Sequence, residues 1–157
     1  KGFDNLLKVF NNLKDNNLIL HILGDGKDKE LLYLLKQDLG LENVIFHGVQ
    51  KNPYPFLKFA DLFILSSRYE GFPNVLLEAG ACGTYSLANN CKGGINEIIQ
   101  PKINGEISDI ENQKEFAEKI LEVLEQTHNK ESIRNSIQSR FSKEIILDKY
   151  FEVFNSM

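Results

Sequence analysis

The feature that most restricts how this chain can fold is its alternation of short apolar runs with amphipathic segments. Leu18-Ile19-Leu20-His21-Ile22-Leu23, Val44-Ile45-Phe46, Leu62-Phe63-Ile64-Leu65 and Tyr85-Ser86-Leu87-Ala88 are each brief and apolar on both faces. Strands of this kind, separated by helices, belong to a parallel sheet, because the crossovers cover both of its sides. The intervening segments carry helical spacing. Phe3, Leu6, Leu7, Phe10 and Leu13 share one face, Asp28 to Leu39 predicts a second helix, Pro55 to Ala60 a short third, and Val75 to Cys82 a fourth. Asn96 to Ile99 adds a turn of helix and Gly105-Glu106-Ile107 an edge strand. From Glu111 the pattern is helical, with one helix marked by Phe116, Ile120, Val123 and Leu124 and another by Ile145, Ile146, Tyr150, Val153 and Phe154. The expected fold class is α/β, a three-layer α/β/α arrangement around a parallel sheet.

Composition narrows the function classes. A length of 157 residues suits one domain, and neither a repeat nor a linker divides it. The hydrophobic fraction of 42% and charged fraction of 25% exclude a disordered chain or a disulfide scaffold. A net charge of −4 without a basic block predicts no nucleic-acid partner. No apolar run approaches the ~20 residues that span a bilayer, and Lys1-Gly2-Phe3-Asp4 is unlike a signal peptide, so a cytoplasmic or membrane-peripheral location is expected. Cys82 and Cys91 lack partners at metal-ligand spacing and are read as reduced thiols, and no metal is expected.

The chemistry concentrates between Ser66 and Ala79. Here Ser66-Ser67-Arg68-Tyr69-Glu70 leaves a strand end, Gly71-Phe72-Pro73 turns, and Asn74-Val75-Leu76-Leu77-Glu78-Ala79 enters a helix. In such sheets ligands bind at the carboxyl ends of the strands, and a helix N-terminus offers unpaired N–H groups to phosphates. Glu70 and the amides of Gly71, Phe72, Asn74 and Val75, with Pro73 in the turn, fall at that place. Glu78 shares a stripe with Val75, Ala79 and Cys82, a face expected to be buried, so its charge needs a partner. One reading makes it a helix-dipole glutamate, worth about 0.3–1 kcal/mol. The other makes it an acceptor for a ligand's hydroxyl groups.

The two glutamates with seven residues between them, followed by Ala79-Gly80-Ala81-Cys82-Gly83-Thr84, resemble the signature of the family 4 glycosyltransferases. The resemblance extends to Lys1-Gly2-Phe3-Asp4, Gly24-Asp25-Gly26, Phe46-His47-Gly48 and Gly93-Gly94 with Glu97. It implies a Rossmann-like domain, the C-terminal half of a GT-B fold, and a retaining transfer of a hexose or N-acetylhexosamine from a nucleoside diphosphate to an acceptor hydroxyl. By the family pattern Glu78 binds the ribose hydroxyls, Glu70 lies beside the donor sugar, and the amides around Phe72 to Val75 hold the diphosphate. Lys1 neutralises the leaving phosphate, Gly24 lets the backbone approach the nucleotide, and Gly48 and Val49 lie near the base. No cofactor beyond the nucleotide sugar is implied. The acceptor, a polysaccharide or lipid-linked sugar, is expected to meet an N-terminal domain outside this chain. The family's upstream arginine and a first, central strand are likewise expected outside it, and the piece alone is expected to be inactive.

The chain departs from the family pattern at Gly80, where a larger residue such as Met is common, and at Tyr85 and Ser86, which replace Pro-Val. Gly80 inside a helix costs about 1 kcal/mol against alanine. Taken alone, Gly24-Asp25-Gly26 is a turn, since Lys29 stands where a dinucleotide fingerprint wants its next glycine. His21 in a buried strand and His128 in a helix connection are read as structural, and His47 as near the nucleotide without acting as a base. Two rivals remain: a sugar-nucleotide epimerase or phosphorylase of the same architecture, and a non-catalytic α/β interaction domain in which the glutamates are surface residues.

Overall fold

The apolar stripe of the first segment forms α1 (Phe3–Asn11), whose Leu6, Leu7, Val9 and Phe10 are buried. In this computed structural model, which describes residues 1–155, the alternation continues through β1 (Leu20–Leu23), α2 (Lys29–Asp38), β2 (Val44–Gly48), α3 (Tyr54–Phe59), β3 (Phe63–Leu65), α4 (Asn74–Ala81) and β4 (Ser86–Asn89). It ends with α5 (Ile95–Ile98), β5 (Gly105–Ser108), α6 (Gln113–Glu125), α7 (Lys130–Phe141) and α8 (Lys143–Asn155). All pairing between these strands is parallel, as helical crossovers demand.

The strands are divided between two ladders, β1-β2 and β3-β4-β5. A shared core rather than hydrogen bonding joins them. Leu20, Ile22 and Val44 of the first ladder and Leu87 of the second pack with α1 and with Phe116, Ala117 and Ile120 of α6. Phe116 is fully buried, and burial of such a ring stabilises by about 1.5–3 kcal/mol. A second cluster joins Leu65, Leu76, Ala88, Ile95, Ile98, Ile99 and Ile137 beneath α4, α5 and α7.

Within each ladder the parallel pairing brings the carboxyl ends of its strands to one side. The start of α1 lies beside the loop after β3, where Gly2 approaches the Ser66 carbonyl and Arg68 donates to both Asp4 oxygens at 2.8 and 2.5 Å.

Three local expectations change. The helical tail contains a separate α7, seated by Ile133, Ser136 and Ile137. Gly80 serves packing: a Cβ there would stand 2.5 Å from Ile137 Cγ1, so the missing side chain lets α7 close on α4. His21 is exposed, because it occupies the outward face of β1, where its Nδ1 lies 2.8 Å from His47 Nε2. His128 stacks on the buried Tyr85 ring at 3.7 Å and bonds the Val123 carbonyl. Burial, with the nearby Glu106 carboxylate, pushes the Tyr85 phenol up to about 12.

Candidate functional site

The loop from β3 into α4 is held from three directions. Ser66 and Ser67 are buried, and Asn89 at the end of β4 donates to the Ser67 carbonyl at 2.9 Å while accepting from the Ile110 N–H at 3.0 Å. Gly2 adopts φ 74 at the very spot where a Cβ would collide with the Ser66 carbonyl, and Ser66 Oγ donates to the Lys1 carbonyl at 3.1 Å. Gly93, at φ 134, presses on the Glu70 carbonyl so closely that any side chain would collide with it. Gly94 donates to the Gly71 carbonyl at 2.7 Å.

Within this frame Lys1 Nζ donates to Glu70 Oε1 at 2.6 Å, and Ser67 Oγ donates to the same oxygen at 2.6 Å. The Glu70 side chain is 11% exposed, whereas that of Lys1 is 63% exposed. Burial presses the Glu70 pKa upward, but the hydrogen bonds from Lys1 and Ser67 and the lysine charge outweigh it and hold the carboxyl below its ordinary value. Glu70 is therefore ionised at neutral pH. Cys91 stands near it, its thiol pushed up by burial first and by the Glu70 charge second.

The amides expected to cradle phosphate separate into open and engaged groups. Asn74 N–H is taken by the Phe72 carbonyl at 3.0 Å, and Pro73, buried ahead of α4, has no N–H. The N–H groups of Gly71, Phe72 and Val75 meet no acceptor among the described residues. The amide cradle thus narrows to those three. Glu78, half-buried on the second turn of α4, forms no side-chain hydrogen bond or ion pair among the described residues. Its oxygens are reachable from solvent, since no buried side-chain oxygen or nitrogen among the described residues lacks a partner, and they are free to accept from a ligand's hydroxyl groups.

The remaining predicted residues lie at the ends of β1 and β2. Gly24 and Gly48 both take positive φ, 116 and 65, and Gly24 donates to the Gly48 carbonyl at 2.7 Å. Neither would meet another atom if a Cβ were added, and Val49 is 74% exposed. Pairing shifts register between Ile22 and Leu23, leaving His47 as the extra residue of a bulge. Its ring packs on His21 and on Phe56 at 4.7 Å. Among the described residues, no group of three or more His, Cys, Asp or Glu is placed to hold a metal ion, and no helix is long and apolar enough to cross a membrane.

Sequence reasoning missed Ser67, the Asp4–Arg68 pair and the ring contact of Phe72 with Phe141. Gly93-Gly94 was singled out only through the family resemblance, and its close approach to the Glu70 carbonyl is a finding of the structure.

The family model for glycosyl transferases group 1 matches residues 1–140, and the chain belongs to that family. A lipopolysaccharide core biosynthesis glycosyltransferase, LpsE of Rhizobium meliloti, is 32% identical over 161 residues, covering 99% of this chain and 46% of its own length. The solved structure of a lipopolysaccharide outer core galactosyltransferase, WaaB, matches with a TM-score of 0.85 and 26% identity, over 99% of this chain and 45% of that one. A Staphylococcus aureus TarM variant, solved with fondaparinux, α-GlcNAc-glycerol and UDP, matches with a TM-score of 0.87 and 29% identity, over 98% of this chain and 32% of that one. The fold is accordingly the Rossmann-like C-terminal half of a GT-B enzyme. The chain spans less than half the length of these relatives.

Proposed function

We propose that the chain binds a nucleoside diphosphate sugar, with UDP the first base to test, and that the whole protein transfers a hexose or N-acetylhexosamine from it with retention. The acceptor is a hydroxyl of a growing polysaccharide or glycolipid, met through the remainder of the protein. LpsE and WaaB, named for lipopolysaccharide assembly, support the destination, and UDP in the TarM complex supports the base.

One observation carries the reading. An anchored cation, Lys1, sits on an ionised Glu70 at the mouth of a loop with three open N–H groups, and an unpartnered Glu78 follows on the helix. A sugar diphosphate answers each of these: phosphate oxygens for the N–H groups, ribose hydroxyls for Glu78, sugar hydroxyls for Glu70. As the bond from the anomeric carbon to the phosphate oxygen breaks, negative charge gathers on the diphosphate, and Lys1 with the open amides stabilises it. The acceptor oxygen bonds to the anomeric carbon on the face the phosphate leaves, and its proton passes to a departing phosphate oxygen. Glu70 orients the sugar and the lysine rather than taking that proton, since its carboxylate is engaged by Lys1 and Ser67 and its lowered pKa makes it a weak proton acceptor. Gly24, Gly48 and Val49, open at the neighbouring strand ends, border the nucleotide.

Nucleotide sugars screened for thermal stabilisation of the full-length protein test this, followed by the anomeric configuration of the product. Glu78→Gln is expected to weaken donor binding about 10- to 100-fold, the cost of a lost charge-assisted hydrogen bond, with little change in melting temperature. Unchanged donor affinity in that variant overturns the assignment.

A further inference from the structure

The last turn of α7 ends in Arg140 and Phe141, neither of which has a part in the reading above. Arg140 forms no ion pair with a carboxylate among the described residues. Its guanidinium donates to main-chain carbonyls instead: Ser136 of its own helix at 2.8 Å, Glu97 at 2.9 Å and Ile98 at 2.6 Å. The latter two lie at the end of α5, where helical carbonyls lose their partners. Arg140 therefore fastens α5, and with it Gly93-Gly94, which leads into that helix and presses on Glu70 and Gly71.

Phe141 reaches the same loop by a second route. Its ring centroid lies 5.8 Å from that of Phe72 with the planes tilted by 60°, a favourable aromatic geometry. The Arg140 Cζ stands 4.8 Å over the Phe141 ring. On the other side Phe72 fills the space beside Gly94, where a Cβ would come within 2.8 Å of Phe72 Cδ2. Phe72, 42% exposed, lies with one side of its ring toward Gly94 and Phe141 while its N–H stays open. Gly80 permits this arrangement, because its missing side chain lets Ile137 and the rest of α7 lie close to α4.

We propose that Arg140 and Phe141 are positioning residues of the donor site, holding α5 and Phe72 so that the open N–H groups of Gly71, Phe72 and Val75 keep the arrangement that receives a diphosphate. The ligand rests on the donor-binding reading; the bracing of the loop does not. Two measurements on the full-length protein separate them: hydrogen exchange, without ligand, at the loop's bonded amides, Asn74 to the Phe72 carbonyl, Leu76 to the Pro73 carbonyl and Gly94 to the Gly71 carbonyl, and calorimetric titration with UDP.

Phe141→Ala is expected to speed exchange at Asn74, Leu76 and Gly94 and to weaken UDP binding, each by roughly threefold to tenfold, the equivalent of one aromatic pair. Exchange in α1 stays unchanged, and Phe141→Tyr, which keeps the ring, restores both readouts. Phe72→Leu removes the same ring pair from the exposed side and gives the same exchange signature, which keeps the test decisive if Phe141→Ala does not fold. Unaltered exchange at Asn74, Leu76 and Gly94 in the variant that folds, or failure of Phe141→Tyr to restore it, overturns the proposal. If the wild-type protein binds no UDP while the exchange changes follow as stated, the bracing stands and the uridine donor falls.

Discussion

The two ladders end in loops of opposite character. After β3 and β4 every close approach is occupied: Gly2 lies on the Ser66 carbonyl, Gly93 on Glu70, Gly94 on Phe72, and Glu70 is engaged by Lys1 and Ser67. After β1 and β2 the glycines touch nothing beyond their own hydrogen bond, and Val49 is bare. Glycine therefore serves two purposes in one fold. In the first region it lets protein backbone meet protein backbone, which preorganises charge before any ligand arrives. In the second it supplies a turn conformation and leaves room at the strand ends, so that whatever binds there brings its own contacts.

Substitution tests that contrast directly. Gly93→Ala carries the largest expected effect, about 3 kcal/mol of stability from a left-handed φ combined with collision against the Glu70 carbonyl. Denaturant unfolding measures it, and loss of donor binding accompanies it. Lys1→Met comes next on the activity scale. It is expected to lower kcat of the full-length protein on the order of 10²- to 10³-fold, as removal of a donor to developing charge does, with donor KM little altered.

Gly24→Ala is smaller, about 1–2 kcal/mol, because only the backbone conformation resists it. If it costs as much as Gly93→Ala by the same unfolding measurement, the distinction between a locked and an open strand end fails. The smallest effect is in acid. The Glu70 carboxyl is held below its ordinary value of 4.5, so its stabilisation is fully present above that value and is lost as pH falls through the lowered pKa. Asp4 and Arg68 face the same loop, but they stay paired in Lys1→Met and cancel from a difference. The melting-temperature difference between wild type and Lys1→Met is expected to be present at neutral pH and to shrink below pH 4.5, and a constant difference would contradict the pairing.

Much of this was legible in the chain. The strands announced themselves because burial on both faces demands apolar runs, and α1 and α6 because one buried face imposes helical spacing. Glu70 and Glu78 stood out through their spacing and through a charge placed on a stripe that ought to be buried. α7 was harder to separate, since Ile133 and Ile137 are its chief apolar anchors amid polar neighbours. His21 was misplaced as a buried residue because an apolar run does not reveal which of its members faces outward. Ser67, Arg140 and Phe141 left no local signal, for their partners lie far along the chain.

What the sequence determined by itself was the set of elements, the left-handed turns at glycines, and the acidic pair on one strand-to-helix loop, because these follow from the conformational preferences of neighbouring residues. The tertiary structure decided how the strands divide into two ladders, which glycine meets which carbonyl, that Lys1 pairs with Glu70, and that α7 braces Phe72. Those outcomes depend on surfaces that become neighbours only once the chain has packed, and contact between residues 69 apart, as between Lys1 and Glu70 or Phe72 and Phe141, is not written in the preferences of either segment.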